Sequence, residues 1–156
     1  KIILEKDLER FPFELGFGNQ QLLPLVLGLL NNLSGITIIE EPESHLHPYL
    51  QSKLADFFVD AIQFKKDLST QLIIETHSEY LIRKLQYLVA NKSIRSEDVA
   101  IYYINRADQI PAGARQIQKM EIMKDGSFNY DFGPGFFDEA VNLKIELLKL
   151  KNAVKN

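Results

Sequence analysis

A chain of 156 residues is long enough for about one domain with a core of its own. Hydrophobic residues at 46% and charged residues at 25% are ordinary for a globular protein, and a net charge of −3 argues against broad, non-specific DNA binding, which needs a basic surface. The absence of cysteine excludes disulfides and thiolate metal sites and fits a cytoplasmic protein, and no apolar run reaches the ~20 residues of a membrane span.

Residues 1–15 are mixed and suggest a short strand with a turn around Pro12. Gly16-Phe17-Gly18-Asn19-Gln20-Gln21 reads as a polar, glycine-containing loop. A helix is predicted from Gln20 or Gln21 to about Asn32, with Pro24 in its first turn, where a missing N–H is tolerated. Gly35 breaks the pattern, and Ile36 to Ile39 is a continuous apolar strand of the kind found in buried parallel sheets. Leu50, Leu54, Phe57, Phe58, Ala61 and Ile62 recur at helical spacing between Pro48 and Phe64. Gln71 to Glu75 is a second buried strand, and Ser78 is placed to cap a helix running to about Ala90. Val99 to Ile104 is a third strand, and residues 107–114 form a loop with Pro111 and Gly113. Gln116 to Lys124 and Ser127 to Phe132, joined by Asp125-Gly126, predict a β-hairpin. A last helix is predicted over Phe137 to Lys151, with Val141, Ile145, Leu147 and Leu148 on one face.

The order β-α-β-α-β argues for an α/β fold. Its mostly parallel sheet would be flanked by helices, with the hairpin adding antiparallel strands at one edge and a C-terminal helix following. Ligands of such sheets gather outside the carboxyl ends of the strands. Here those ends carry Glu40 and Glu41 on one strand and Thr76 and His77 on the other.

Paired carboxylates closing an apolar strand suit a metal ion and an activated water. Side chains alternate along a strand, so Glu40 and Glu41 are expected to point to opposite faces and do different work. The alternative is an acidic loop facing solvent. His77, at a strand-to-helix turn near free N–H groups, suits a phosphate-like anion, although a lone histidine is often structural. His45 and His47 could join His77 as nitrogen donors to a metal. The competing reading is a tight turn in which one histidine caps the next helix and the other meets solvent or a second subunit. Gly16 to Gln21 could offer backbone N–H groups to phosphate, or serve only as a turn.

Taken together, the segments resemble a known family. Ile38-Ile39-Glu40-Glu41-Pro42-Glu43-Ser44-His45-Leu46-His47-Pro48 resembles the Walker B and D-loop segment of ABC-type P-loop ATPases, above all the SMC-like and OLD-like bacterial AAA-type group. Leu72-Ile73-Ile74-Glu75-Thr76-His77-Ser78 is similar to their switch-histidine segment, and Gly16-Phe17-Gly18-Asn19-Gln20-Gln21 to a divergent signature loop. The resemblance implies ATP and Mg²⁺ as cofactors, Glu41 as general base, Glu40 in the metal-binding Walker B position and His77 at the γ-phosphate. It implies that Gly16, Gly18, Asn19 and Gln20 reach a nucleotide held by a partner subunit, and that Ser44, His45 and His47 form the D-loop across a head-to-tail homodimer interface. DNA or a defence effector are the partners that the resemblance implies for the whole protein.

No Gly-x-x-x-x-Gly-Lys-Ser/Thr phosphate loop (Walker A) occurs. The chain also begins without Met, and the expectation is therefore the C-terminal half of such an ATPase, inactive alone and missing the N-terminal half that carries Walker A. Residues 1–106 would be the ATPase part and 107–156 a hairpin-plus-helix extension. Two other readings are a metal-dependent hydrolase using His45, His47, His77, Glu40 and Glu41, and a non-catalytic interaction module.

Overall fold

The computed structural model describes residues 2–4, 8–10, 16–31, 35–64, 70–110, 115–133 and 135–153. Two compact units divide the chain, Lys1–Leu85 and Gln86–Asn156. The first opens with β1 (Ile2–Leu4) and β2 (Leu8–Arg10), an antiparallel pair. The turn expected around Pro12 lies outside the described residues.

Helix α1 (Phe17–Asn31) starts earlier than the sequence suggests. The N–H of Gln20 donates to the carbonyl of Gly16 at 3.2 Å, so the predicted polar loop is instead the first helical turn. Pro24 consequently lies in the helix interior, where its missing N–H removes one rung of the ladder. Strand β3 (Gly35–Glu40) pairs in parallel with β4 (Thr70–Glu75), in register from Gly35↔Thr70 to Glu40↔Glu75. Helix α2 (Pro48–Phe64) connects them, with Pro48 in the first position, where its fixed φ suits a helix start. Its inward stripe is Leu54, Ala55, Phe58 and Val59, rotated slightly from the predicted face, and Leu50 remains exposed. Helix α3 (Glu79–Ala90) follows β4. Leu81 and Ile82 on its first turns are buried, as are Leu29, Ile39 and Leu46 elsewhere in the unit. Burying one such side chain stabilises by ~1.5–3 kcal/mol.

Among the described residues, one face of the β3–β4 pair is covered and the other is open. Ile39 is buried, whereas Ile36, Ile38 and Ile73 on the other face are 61%, 68% and 48% exposed. Parallel sheets are normally covered on both faces.

In the second unit, α3 ends with Lys92 at φ 65° and with the Ser93 N–H donating to the Leu88 carbonyl at 2.9 Å, a left-handed helix stop. Strand β5 (Ile101–Ile104) was expected to extend the parallel sheet. It pairs antiparallel with β6 (Ile117–Met120) instead, with burial alternating along it as in a sheet wet on one side. The predicted hairpin over residues 116–132 forms as a short one around the Asp125-Gly126 turn: Ile122 bridges Phe128, the Met123 N–H donates to the Ser127 carbonyl at 2.7 Å, and the Asn129 N–H donates to the Glu121 carbonyl at 3.2 Å. Ser127 donates its hydroxyl and its N–H to Asp125, which holds that carboxyl below the usual carboxylate range. Phe128, Phe132, Phe136, Phe137 and Tyr103 form an aromatic cluster, with Phe132 and Phe137 edge to face at 4.6 Å. The last helix, α4 (Glu139–Ala153), buries none of the face expected for it. Val141, Ile145, Leu147 and Leu148 are all exposed, because its apolar residues are spread around the helix and do not form one stripe.

Gly126 is a tightly enclosed backbone position of this unit. Its φ is 86°, and a Cβ there would lie 3.0 Å from the Gln86 carbonyl oxygen and 3.1 Å from the Ala90 Cβ. Gln86 Nε2 also donates to its carbonyl at 2.7 Å. Gly126→Ala is therefore expected to destabilise the protein by ~1–2 kcal/mol, measured as a lower denaturant midpoint at unchanged slope.

Candidate functional site

The carboxyl ends of β3 and β4 lie side by side. The parallel register sets Glu40 opposite Glu75, and both side chains are exposed on the open face of the pair. The ladder continues one residue further, because the Glu41 N–H donates to the Glu75 carbonyl at 2.9 Å. Glu41 itself has left the strand, with φ 43°. The two acids are thus separated by a left-handed turn, and the strand alternation expected from the sequence does not extend to Glu41. A non-glycine residue in this conformation costs roughly 1–2 kcal/mol and persists only where its surroundings fix it. Three bonds do so here. Beside the ladder bond, the Glu41 carbonyl accepts from the Ser44 N–H at 3.1 Å and from Gln21 Nε2 at 3.3 Å.

Ser44 Oγ donates to Glu41 Oε2 at 3.1 Å, and His77 Nε2 stands 3.6 Å from Glu41 Oε1. The acid is therefore held from one side and faced by the histidine on the other. Both side chains are more than half exposed, so the contact places the groups and contributes little stability.

The turn 41–47 contains a second left-handed residue, His45, at φ 63° and exposed. Leu46 is buried, and His47 uses Nδ1 to accept the Tyr49 N–H at 3.3 Å, capping the start of α2. Gly18 lies against this turn. A Cβ at Gly18 would come within 2.8 Å of Leu46 Cδ2 and 3.1 Å of the His45 carbonyl oxygen, which explains a glycine there. Gly16 precedes the helix, Asn19 and Gln20 belong to its first turn, and Gln20 is half-buried. The start of α1 and the turn 43–47 therefore form one continuous surface.

Glu43, Gln51, Gln21 and Ser78 also enter the site. Glu43 is buried and accepts the His77 N–H on Oε1 at 2.6 Å. Gln51 Nε2 donates to the Leu46 carbonyl at 3.0 Å, and its Oε1 accepts from Ser78 Oγ at 2.7 Å. Ser78 is the predicted cap of α3, its Oγ accepting the Leu81 N–H at 3.1 Å. The signal for Glu43 lay in the third acid of Glu-Glu-Pro-Glu; Gln21 and Gln51 had none, because their partners are distant in sequence.

Among the described residues, no three histidine, aspartate or glutamate side chains converge as a metal site, so His45, His47 and His77 do not come together as the nitrogen ligands of a hydrolase. Mg²⁺ makes a smaller demand, one or two carboxylates with waters and substrate phosphates completing the shell. The exposed oxygens of Glu40, beside Glu75 and Glu41, are of the hard type that it takes. No helix among the described residues is long and apolar enough to cross a membrane. Ser78→Ala removes both the α3 cap and the Gln51 tie, and a loss of ~1–2 kcal/mol in denaturant unfolding is expected.

Comparison with known proteins places most of the chain under two family models. A family model described as "AAA domain, putative AbiEii toxin, Type IV TA system" matches residues 4–83. A second, "Protein of unknown function (DUF3696)", matches residues 94–147. The lipoprotein-releasing system ATP-binding protein LolD of Buchnera aphidicola subsp. Schizaphis graminum is 31% identical over 94 residues, 60% of this chain and 39% of that protein. The chain thus spans about two fifths of the length of the curated relative it matches. No solved structure matches it. Because the first match covers just over half of the chain and runs through both strand ends of the site, this chain belongs to that AAA-domain family of ATPases.

Proposed function

We propose that this chain is the C-terminal part of an ABC- or SMC-like ATPase domain, and that the whole protein hydrolyses ATP between two head-to-tail subunits. The observation that carries the reading is the meeting of Glu41 and His77, 3.6 Å apart, at the carboxyl ends of two parallel strands. In this reading Glu41 is the general base. It takes a proton from the water that attacks the γ-phosphorus as the bond to the β,γ-bridging oxygen breaks and ADP leaves. Ser44 orients its carboxyl group through the 3.1 Å hydrogen bond. His77, 3.6 Å from that carboxyl group, would contact the γ-phosphate.

Glu40 would hold Mg²⁺, directly or through water, and the ion would supply positive charge to the phosphate oxygens. Support for a missing phosphate-loop half comes from the open sheet face, where Ile36, Ile38 and Ile73 present an apolar surface beside the acids. A strand and helix laid there would cover the face and bring their loop to the same strand ends. The shared surface of Gly16, Gly18, Asn19 and Gln20 with Ser44, His45 and His47 is the part we assign to the nucleotide of the partner subunit. Gly18 against Leu46 and His45 supports treating these segments as one patch.

In the full-length protein, Glu41→Gln should lower ATP turnover roughly 10²–10⁴-fold, the range of a lost general base, with nucleotide binding retained and the dimer accumulating. Steady-state hydrolysis and size-exclusion chromatography with ATP check both parts; turnover near the wild-type rate would overturn the assignment.

A further inference from the structure

Glu43 belongs neither to the strand that ends in the acid pair nor to α2, and the role proposed for Glu41 leaves it unused. It is 7% exposed, an unusual place for a carboxyl group. Its Oε1 accepts the backbone N–H of His77 at 2.6 Å, and its Oε2 is buried with no partner among the described residues. Buried polar atoms are generally satisfied, and this one is given up to reach a single N–H. That N–H is on the backbone of the very residue that faces Glu41.

A second tie runs alongside. Gln51 bridges the Leu46 carbonyl and Ser78 Oγ, at 3.0 Å and 2.7 Å. The turn after the acid pair is thus fastened to the segment after β4 at His77 and again at Ser78. The His77 side chain itself is 75% exposed and is not held by burial. Its position relative to Glu41 is set by its backbone, and the backbone is set by these two ties.

We infer that Glu43 is a positioning residue for His77, seconded by Gln51 through Ser78, which keeps the imidazole at its working distance from Glu41. The inference rests on the ATPase reading, and it makes a prediction that a merely structural role does not. A residue that acts only through His77 has nothing to contribute once the imidazole is gone.

The test is a double-mutant cycle in the full-length protein, with steady-state ATP hydrolysis and nucleotide affinity as readouts. Glu43→Ala should lower kcat about 10–30-fold with KM within about 3-fold, as expected when the misplaced group stabilises the transition state more than it does bound ATP. Glu43→Gln keeps an acceptor for the His77 N–H and should restore the rate to within about 3-fold of wild type. In a His77→Ala background, Glu43→Ala should change the residual rate by less than about 2-fold. Multiplying losses in that double mutant, or a loss confined to KM, would overturn the inference. Should Glu43→Ala not fold, Gln51→Ala is read in the same cycle, and losses multiplying with His77→Ala count against the proposal equally. Hydrolysis that does not depend on Glu41 would sink the ATPase reading itself, whereas Glu41-dependent hydrolysis with multiplying Glu43 and His77 losses sinks only the positioning role.

Discussion

The parallel, in-register pairing of β3 with β4 is the constraint on which the rest of the first unit depends. Both strands end together, at Glu40 and Glu75, and a further ladder bond carries the pairing to Glu41. A slip of β3 by one residue would turn every side chain to the other face. Glu40 would then point where Ile39 now packs, and Ile39 would enter solvent. Burial of Ile39 therefore specifies the register, and the register specifies which acids stand beside His77. A two-stranded parallel pair with one face exposed is a weak structure by itself. The exposed Ile36, Ile38 and Ile73 mark the face that most needs covering.

Order at the strand ends is kept by overlapping local bonds. Glu41 and His45 both sit in the left-handed region, and neither is a glycine. The Glu41 backbone is held by Glu75, Ser44 and Gln21, partners from three parts of the chain. The segment behind it is tied through Glu43 and Gln51 to residues 77 and 78. Backbone strain is retained where several contacts agree on one geometry.

The second unit follows a different rule. Its strands are antiparallel and half exposed; Met120 and Ile122 are almost fully buried, and a cluster of phenylalanine rings is half-buried. Helix α4 remains apolar at Val141, Leu143, Leu147 and Leu150 without burying them. Apolar residues distributed around a helix give no single face to the chain's own core.

Much of this architecture was legible in the residues. The apolar runs at 36–39 and 71–75 announced the paired strands, Pro48 marked the start of α2, and Ser78 marked the cap of α3. Those signals are local: burial needs a continuous apolar run, a helix start tolerates proline, and a cap needs a short hydroxyl side chain. The candidate acids and His77 were also visible, because carboxylates rarely close an apolar strand by accident of composition. Tertiary structure alone decided four things. It set Gly18 against Leu46, turned Glu41 into the left-handed region, paired β5 with β6, and buried Glu43 against the His77 N–H. Each depends on a partner far away in the chain, and a contact between distant residues leaves no periodicity or composition for a linear reading to find.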